Sequence, residues 1–359
     1  MKKVLFMGLH RPDRSPSQRY RFEQFQPYLE PQGFEFEYFS LLRAQDDQKF
    51  YGAGNYLAKI SILIRSIFKL WFKSFSAAQY DFVFVQREAF MLGTVFFEKR
   101  FARKTKLLFD FDDSLWFQTV SEGTRKLSFL KDAAKTQKLI AISDMIFAGN
   151  SFLADYARQF NANVKLVPTV VDSDNYQRTI PFNKTKICIG WSGSFSTIPY
   201  FEYALPALQE IKAKYGDKVY FKVIGDANYY NKELDINGTA WSSATEVAEL
   251  SEIDIGIMPL PNDEWTKGKC ALKGLLYLSL EQAAVLSDVG VNGEVIQDGV
   301  NGFLVSSTAD WVEKLSLLID NPQLRQEMGQ KGRQTVLERY SVLSEQANYT
   351  KYFKELLAL

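Results

Sequence analysis

Short runs of apolar residues recur along the chain, and segments with helical periodicity lie between them. In the first half these runs cover residues 4–7, 82–85, 107–109, 145–148 and 164–167. They show little alternation with polar residues, which is typical of parallel strands covered on both faces. Amphipathic segments such as 20–29 and 127–139 separate them. The pattern predicts βαβ units and an α/β, doubly wound sheet.

The same pattern restarts after a polar, irregular stretch at residues 173–184. The second set of runs covers residues 187–189, 219–224, 254–258, 284–287 and 303–305. We therefore expect two Rossmann-like domains, 1–175 and 185–340. Ligands of such sheets bind beyond the carboxyl ends of the strands, so the cleft between the domains is the expected site.

The tail, residues 341–359, has an amphipathic pattern with several aromatic residues. It predicts a terminal helix pair that packs back on the first domain. The expected packing residues are Tyr349, Tyr352 and Phe353.

Composition excludes several classes of function. The 359 residues include 43 Lys and Arg against 42 Asp and Glu, so no net field favours nucleic acid. Two cysteines and one histidine exclude a Cys-rich zinc site, a His-clustered metal site and a disulfide scaffold. The first apolar run ends at Gly8, too early for a signal peptide, and no run is long enough to span a membrane. We expect a cytoplasmic protein.

The densest chemical signal lies between residues 254 and 305. Lys267, Lys269 and Lys273 crowd the start of a helix predicted over 270–280. Cations beside the free N–H groups of a helix N-terminus suit a phosphate. The alternative is that these lysines are solvated partners of the acidic residues that precede them.

A glycine-bearing loop and a new helix follow the next predicted strand. Gly290 permits close approach of the backbone to a ligand. Asn292 lies in the same loop, and Glu294 falls in the first helical turn, where it either contacts a ligand or caps the helix. We expect Gly290, Asn292 and Glu294 to bind the same ligand as the lysines.

Residues 255–304 resemble the C-terminal domain of retaining glycosyltransferases of family 4, which have the GT-B fold. The most specific part is Asp-Val-Gly at 288–290 with Glu-Val-Ile-Gln-Asp-Gly-Val-Asn-Gly-Phe-Leu at 294–304. The resemblance implies transfer of a hexose from a nucleotide-diphosphate sugar held by the C-terminal domain, without a metal or other cofactor. The implied acceptor is a glycan or lipid-linked saccharide in bacterial cell-surface polysaccharide synthesis.

Two departures from the family pattern concern the donor site. The usual Glu-x7-Glu pair aligns with Gly268 and Leu276, and the loop after the strand at 187–189 lacks the usual Arg and Lys. Hydroxyl and amide groups of this loop remain competent for phosphate, with Lys269 and Lys273 supplying charge. The loop residues expected to bind the donor are Gly190, Ser192, Gly193 and Ser194.

The first domain offers candidate residues after each of its strands. Arg19 follows a predicted helix start, with Ser17 or Ser15 as the N-cap, and suits bidentate binding of phosphate. His10 ends the first strand and is expected to line the acceptor wall. The further acceptor candidates are Ser17, Arg87, Asn150 and Ser151, the last three of which could instead cap helices.

Asp112 and Asp113 follow the strand at 107–109. Together with Asp110 they resemble a metal-binding Asp-x-Asp sequence, but the surrounding pattern is not that of a metal-dependent glycosyltransferase. We expect Asp112 and Asp113 to hold sugar hydroxyls or orient the acceptor, with helix capping as the alternative.

Residues 55–75 form an amphipathic pattern of cations and apolar side chains. At 100° per residue the four cations fall within an arc of about 120°. A basic, aromatic helix of this kind can lie on an anionic bilayer at the inner face of the cytoplasmic membrane. An ordinary packing helix with a solvated basic stripe fits equally well. The cations are Lys59, Arg65, Lys69 and Lys73.

Three other functions remain to be compared. A non-catalytic GT-B-like protein that binds nucleotide or glycan, or scaffolds a transferase, is favoured by the missing acidic pair. An epimerase of the same fold has little support, because one histidine and no evident carboxylate pair are available for proton transfer. A nicotinamide dehydrogenase is disfavoured because residues 8–13 contain no Gly-x-Gly-x-x-Gly.

Overall fold

The computed structural model describes residues 1–52, 54–117, 132–182 and 185–358. The chain forms two compact units, Met1–Pro168 with Gln346–Leu359, and Thr169–Glu345. The first part of the predicted helix 127–139 and residues 183–184 of the predicted linker lie outside the described residues.

A parallel sheet forms the centre of the first unit, in the order β2-β1-β3-β4-β5-β6. The predicted apolar runs all lie in this sheet, and the sequence missed only β2, at its edge. The strands are β1 Lys2–Gly8, β2 Phe34–Ser40, β3 Phe82–Gln86, β4 Lys106–Phe111, β5 Met145–Ala148 and β6 Val164–Leu166.

Helices connect these strands. The amphipathic segment predicted at 20–29 is not one continuous helix. The chain leaves helical geometry at Phe22, where φ is −142°, and a new helix starts beside Pro27 because proline suits a first helical turn. The described helices are α1 Pro16–Arg21, α2 Gln26–Leu29, α3 Asp47–Tyr51, α4 Tyr56–Lys73, α5 Phe96–Ala102, α6 Lys135–Ile142 and α7 Ser151–Arg158.

The second unit also has a parallel sheet at its centre, in the order β13-β12-β11-β7-β8, with a separate two-stranded hairpin. Two parallel sheets flanked by helices confirm the predicted α/β class. The strands are β7 Ile187–Ser192, β8 Val219–Ile224, the hairpin β9 Tyr230–Asn231 and β10 Ile236–Asn237, β11 Ile255–Met258, β12 Ala283–Ser287 and β13 Phe303–Val305.

Helices of the second unit hold the irregular residues 169–182 against it. Arg333 donates to the carbonyl oxygen of Tyr176 at 3.0 Å, and Arg178 pairs with Asp254 at 3.2 Å. The described helices are α8 Ile198–Glu202, α9 Leu205–Tyr215, α10 Glu246–Ser251, α11 Leu272–Ser279, α12 Asn292–Val295, α13 Thr308–Asp320 and α14 Pro322–Arg339.

The tail forms one helix, α15 Val342–Leu356, so the predicted helix pair is wrong. Tyr349 stacks on Phe25 with ring centroids 3.9 Å apart, and its hydroxyl donates to the carbonyl oxygen of Arg21. Phe353 is fully buried against the edges of Phe34 and Phe82, at 5.3 and 4.8 Å. Residues near the C-terminus therefore complete the core of the first unit.

Truncating Phe353 to alanine should destabilise the first unit by about 3–5 kcal/mol, because the lost ring leaves a cavity among fixed aromatic neighbours. Urea unfolding followed by aromatic fluorescence measures this change. Lys351→Ala, on the exposed face of the same helix, is the control and should change stability by less than about 0.5 kcal/mol. Equal effects of the two substitutions would contradict the role given to Phe353.

Candidate functional site

Polar side chains collect at the carboxyl ends of β1, β3 and β4 in the first unit. Asp112 accepts hydrogen bonds from Ser17 Oγ at 2.5 Å and from Arg87 Nε at 2.7 Å. Gln86 donates to Ser17 Oγ at 2.6 Å, and Arg87 lies 3.6 Å from Asp113. The structure thus brings together four of the predicted residues with Gln86, which sequence analysis missed. We call these five residues the carboxylate cluster.

The carboxylate of Asp112 is held in its ionised form. Burial alone would raise its pKa, but the Arg87 charge and the hydrogen bonds from Arg87 and Ser17 lower the pKa below its ordinary value. A largely buried anion with fixed donors on one side is suited to accept hydrogen bonds from sugar hydroxyl groups on its open side.

A buried ion pair lies beneath this cluster, and the sequence did not reveal it. Arg21 pairs with Asp110 at 2.5 Å and donates to the carbonyl oxygen of Val167 at 2.5 Å. Neither charged side chain is exposed. Burial raises the pKa of Asp110 to about 6, although the Arg21 charge opposes this. Asp110 therefore pairs with Arg21, whereas Asp112, the second aspartate of the Asp-x-Asp sequence, pairs with Arg87.

Arg87 adopts a left-handed backbone conformation, with φ at +61°. Its N–H donates to the carbonyl oxygen of Asp110 at 2.8 Å, so the turn directly after β3 is fixed to β4. A non-glycine residue in this conformation is strained, and such strain is typical of functional positions. The turn points the guanidinium of Arg87 at Asp112.

His10, at the end of β1, is paired with a tyrosine. Its Nε2 lies 2.8 Å from the hydroxyl of Tyr51, and its backbone N–H donates to Gln18 Oε1 at 2.9 Å. Burial, assisted by the charge of Arg14, lowers the pKa of His10 to about 4. The imidazole is therefore neutral near pH 7. Within the described residues Nδ1 is buried and has no hydrogen-bond partner.

The remaining candidates of the first unit have structural partners. Arg19 lies over the ring of Tyr20 at 4.7 Å and 3.7 Å from Asp13, so it is part of a local network. Asn150 caps α7 by accepting the N–H of Leu153 at 2.8 Å. Asn150 therefore has the helix-capping role that was given above as the alternative to acceptor binding. Ser151 is the first residue of α7.

In the second unit the predicted lysines follow β11 and each contacts a neighbour. Lys273 Nζ lies 5.4 Å from the ring centroid of Trp191, and Lys269 Nζ lies 4.8 Å from that of Trp265. Lys267 pairs with Glu264 at 2.5 Å. Lys273 is therefore next to the carboxyl end of β7, whereas Lys267 is largely compensated by an acidic partner.

The backbone N–H groups at the end of β7 and in the loop after it form hydrogen bonds within the unit. They are therefore not available to bind phosphate as the sequence analysis expected. The N–H groups of Ser192, Gly193 and Ser194 donate within the unit at 2.9–3.0 Å. A Cβ on Gly190 would lie 2.4 Å from Ile253, so this glycine is required for contact between β7 and its neighbour. Because these amides already have hydrogen-bond acceptors, the hydroxyl groups of the loop are the groups left to contact a phosphate.

Loops after β11 and β12 meet at Gly290. With φ at +56°, a Cβ there would lie 2.9 Å from the carbonyl oxygen of Lys267, so only glycine fits without strain. Asn292 is buried and donates to the carbonyl oxygen of Ser287 at 2.9 Å, a structural role. Glu294 is exposed in α12. The sequence found this junction through its glycine.

The two positions aligned with the acidic pair are buried. Gly268 lies in a 3₁₀ turn, and Leu276 lies within α11. Across the described ranges, no three His, Cys, Asp or Glu side chains cluster as metal ligands would. In the same ranges no helix has the length and apolarity needed to cross a bilayer.

Residues 186–321 match the family model described as "Glycosyl transferases group 1". No curated protein sequence matches the chain significantly. Among solved structures, sucrose-phosphate synthase of Thermosynechococcus elongatus is similar over 100% of both chains, at 11% identity and a TM-score of 0.71. Anabaena HepE, in complex with UDP and glucose, covers 99% of this chain and 100% of its own, at 14% identity and a TM-score of 0.67.

A glycosyltransferase from Rickettsia africae is similar over 99% of this chain and 98% of its own, at 13% identity and a TM-score of 0.70. At these identities the similarity establishes the fold, and the matched family model lies within the second unit. The chain has the GT-B fold, with two Rossmann-like domains.

Proposed function

We propose that this protein transfers a hexose from a nucleotide-diphosphate sugar to a glycan or lipid-linked saccharide acceptor, with retention of anomeric configuration. The observation that carries the proposal is the glycosyltransferase match over residues 186–321, which includes Lys267, Lys269 and Lys273. Similar structures solved with UDP or UDP-glucose support a nucleotide-sugar donor. The setting we propose is cell-surface polysaccharide synthesis in the bacterial cytoplasm.

The second unit binds the donor in this proposal. Lys269 and Lys273 stabilise the negative charge of the diphosphate, with hydroxyl groups of the loop after β7 as further donors. Ser194 and Ser196 both carry exposed hydroxyls in that loop. No metal is needed if these cations neutralise the leaving group.

The reaction then depends on position and charge stabilisation. The bond between the anomeric carbon and the phosphate oxygen breaks, and the acceptor hydroxyl attacks from the same face. Its proton passes to the departing phosphate. Under this scheme the protein supplies no covalent nucleophile, and its contribution is to align the reactants and stabilise the diphosphate.

The first unit binds the acceptor through the carboxylate cluster. Asp112 accepts hydrogen bonds from acceptor hydroxyls, while Arg87 and Ser17 hold it in place. Neutral His10 lines the edge beside this cluster, with its Nε2 held by Tyr51. Asp113 contributes a second carboxylate at the same edge.

A non-catalytic GT-B-like protein is the second candidate. Its support is the absence of the acidic pair, since Gly268 and Leu276 occupy the aligned positions. It predicts binding of nucleotide or glycan without turnover.

A panel of UDP, GDP, ADP, CMP and their sugars, with and without Mg²⁺, separates these possibilities. A ligand at about 100 times its Kd stabilises the folded protein by roughly 2.7 kcal/mol, which thermal unfolding detects. Mass spectrometry of acceptor oligosaccharides then measures transfer. Stabilisation with transfer supports the enzyme, and stabilisation without transfer to any acceptor tested supports the non-catalytic protein. No stabilisation by any nucleotide contradicts the proposed donor class.

Lys273→Ala should reduce kcat/KM about 10- to 100-fold, because a charge-assisted contact to the diphosphate contributes about 1.5–3 kcal/mol. Steady-state kinetics with saturating acceptor measure the effect. Lys331→Ala, an exposed lysine on α14, is the matched control. Wild-type kinetics in Lys273→Ala would remove this residue from the donor site.

Asp112→Asn should raise the KM for the acceptor about 10-fold, since a neutral amide is a weaker partner for hydroxyl groups. The affinity for the nucleotide, measured by calorimetry, should not change. Asp155→Asn, which also removes one carboxylate but lies exposed on α7, serves as the control. A loss confined to nucleotide affinity would show that the acceptor role is wrong.

The single histidine allows the charge of His10 to be measured directly. NMR titration of its imidazole should give a pKa near 4, below the ordinary 6.5. In that case His10 binds a proton more tightly in the unfolded chain than in the folded protein. The free energy of unfolding should therefore fall as the pH decreases from 6.5 toward 4. His10→Gln should reduce this slope. A midpoint near 6.5 would contradict the buried, neutral state.

A further inference from the structure

Helix α4 has an orientation that reverses the sequence expectation. Its cations face the protein: Lys59 donates to the carbonyl oxygen of Gly52 at 2.8 Å, and Lys69 to that of Ser40 at 2.7 Å. Arg65 pairs with Asp46, and Lys73 with Glu37. The cations of the basic stripe are therefore buried or half-buried and have partners within the protein. Most of the apolar side chains face outward, whereas Ile62 and Leu70 are buried.

The outward apolar face is extensive. Phe72 is 68% exposed, Phe68 58% and Leu57 84%. The helix has 18 residues, so this face extends for about 27 Å. Soluble proteins rarely expose a continuous apolar surface of this kind unless it binds a partner. The other exposed members of the face are Tyr56, Ile60, Ile64, Ile67 and Trp71, and exposed Phe75 lies just beyond the end of the helix.

A groove forms on the same face, with a volume of about 480 Å³. Its lining is mostly aliphatic or aromatic, and Ser61 and Arg65 are its polar members. The side chain of Arg65 is 24% exposed and already paired with Asp46. The surface thus offers mainly apolar contacts. Its few polar groups do not form a set of hydrogen-bond donors that could recognise a polar ligand.

Helix α5 supplies positive charge beside this face. The Arg100 guanidinium lies 4.3 Å from the ring centroid of Trp71 and 5.4 Å from that of Phe75. Residues 96–106 hold five cations and one acidic residue, Glu98, which is fully buried. We call the exposed cations Lys99, Arg103 and Lys104 the basic flank.

We propose that the outward face of α4 and the basic flank dock on an anionic phospholipid bilayer. An apolar helix face buries its side chains at the headgroup boundary, and adjacent cations are attracted by anionic lipids. The aromatic and cationic pairs around Arg100 suit that boundary, where amphipathic groups concentrate. Binding would come mainly from apolar insertion, because the cations of α4 have internal partners.

Charge disfavours a second copy of the chain as the occupant. Residues 56–79 contain no acidic residue, and the one acidic residue of 96–106 is buried. A second copy of this surface would therefore offer no carboxylate to the basic flank. An anionic bilayer supplies the complementary charge.

The surface is connected to the candidate acceptor site within the first unit. Helix α3 precedes α4, and its Tyr51 contacts His10 while its Asp47 pairs with Arg11 and Arg14 at 2.9 and 2.7 Å. The edge around His10 is therefore in contact with the element that directly precedes the docking helix. The inference that the acceptor is presented from the membrane rests on the proposed function, whereas docking itself does not.

Co-sedimentation of the full chain with vesicles tests the docking. Binding to equimolar phosphatidylcholine and phosphatidylglycerol should persist at high salt, with weaker binding to phosphatidylcholine alone. Phe68→Glu with Phe72→Glu should lower the bound fraction roughly 10-fold or more. Leu337→Glu, on an exposed leucine of α14, is the matched control and should bind like the wild type.

Two further variants make the outcome decisive. Lys99→Glu with Arg103→Glu should remove the preference for phosphatidylglycerol and leave binding to phosphatidylcholine. Ile60→Ser with Ile64→Ser replaces the Phe variant if the latter fails to fold by circular dichroism. Absence of wild-type binding, or unchanged binding by a folded variant of α4, would overturn the proposal.

Sedimentation velocity without lipid supplies the remaining outcome. A wild-type dimer that the α4 variants convert to a monomer would assign the face to a second copy and reject the bilayer. The nucleotide-induced thermal shift, measured on the same samples, reports the donor site separately. A failure of docking is therefore distinguishable from a failure of the proposed function.

Discussion

The first unit depends on the buried pair of Arg21 and Asp110. Removing two charges from water costs several kcal/mol per ion, so the pair is stable only when its remaining hydrogen bonds are satisfied. Arg21 meets this condition by donating to Val167 beyond β6 as well as to Asp110 in β4. Its own carbonyl oxygen accepts from Tyr349 of α15. The side chain of Arg21 thus joins α1 to β4 and to the residue that follows β6, and its backbone carbonyl joins α1 to the C-terminal helix.

The two units carry opposite kinds of chemistry at their strand ends. The first unit has carboxylates whose charge is fixed by arginine, and the second has lysines placed against aromatic rings. A carboxylate accepts hydrogen bonds from hydroxyls, and a lysine stabilises phosphate. In the function proposed above, this division assigns the saccharide to the first unit and the nucleotide diphosphate to the second, although the overall charge of the chain is close to zero.

Sequence analysis located most strands because buried parallel strands are continuously apolar. It missed β2, whose apolar and acidic residues alternate at the sheet edge. Asp112, Arg87 and Ser17 were found because each follows a strand end, but Gln86 and the pair of Arg21 and Asp110 depend on contacts between distant segments. For α4 the periodicity correctly grouped the cations on one side of the helix. It did not show whether that side faces the protein or the solvent. Carbonyl and carboxylate partners from other elements decided that orientation.

The placement of α15 has a consequence for the order of folding during synthesis. Phe353 and Tyr349 fill the core of the first unit, yet they follow the whole second unit in the chain. As the nascent chain leaves the ribosome, the first sheet emerges early but lacks these rings until the whole second unit has been translated. The second unit, which needs no later segment for its core cluster, can reach its native packing first. The sheet of the first unit would then expose apolar surface while the second unit is being translated, and chaperones can bind that surface during this period.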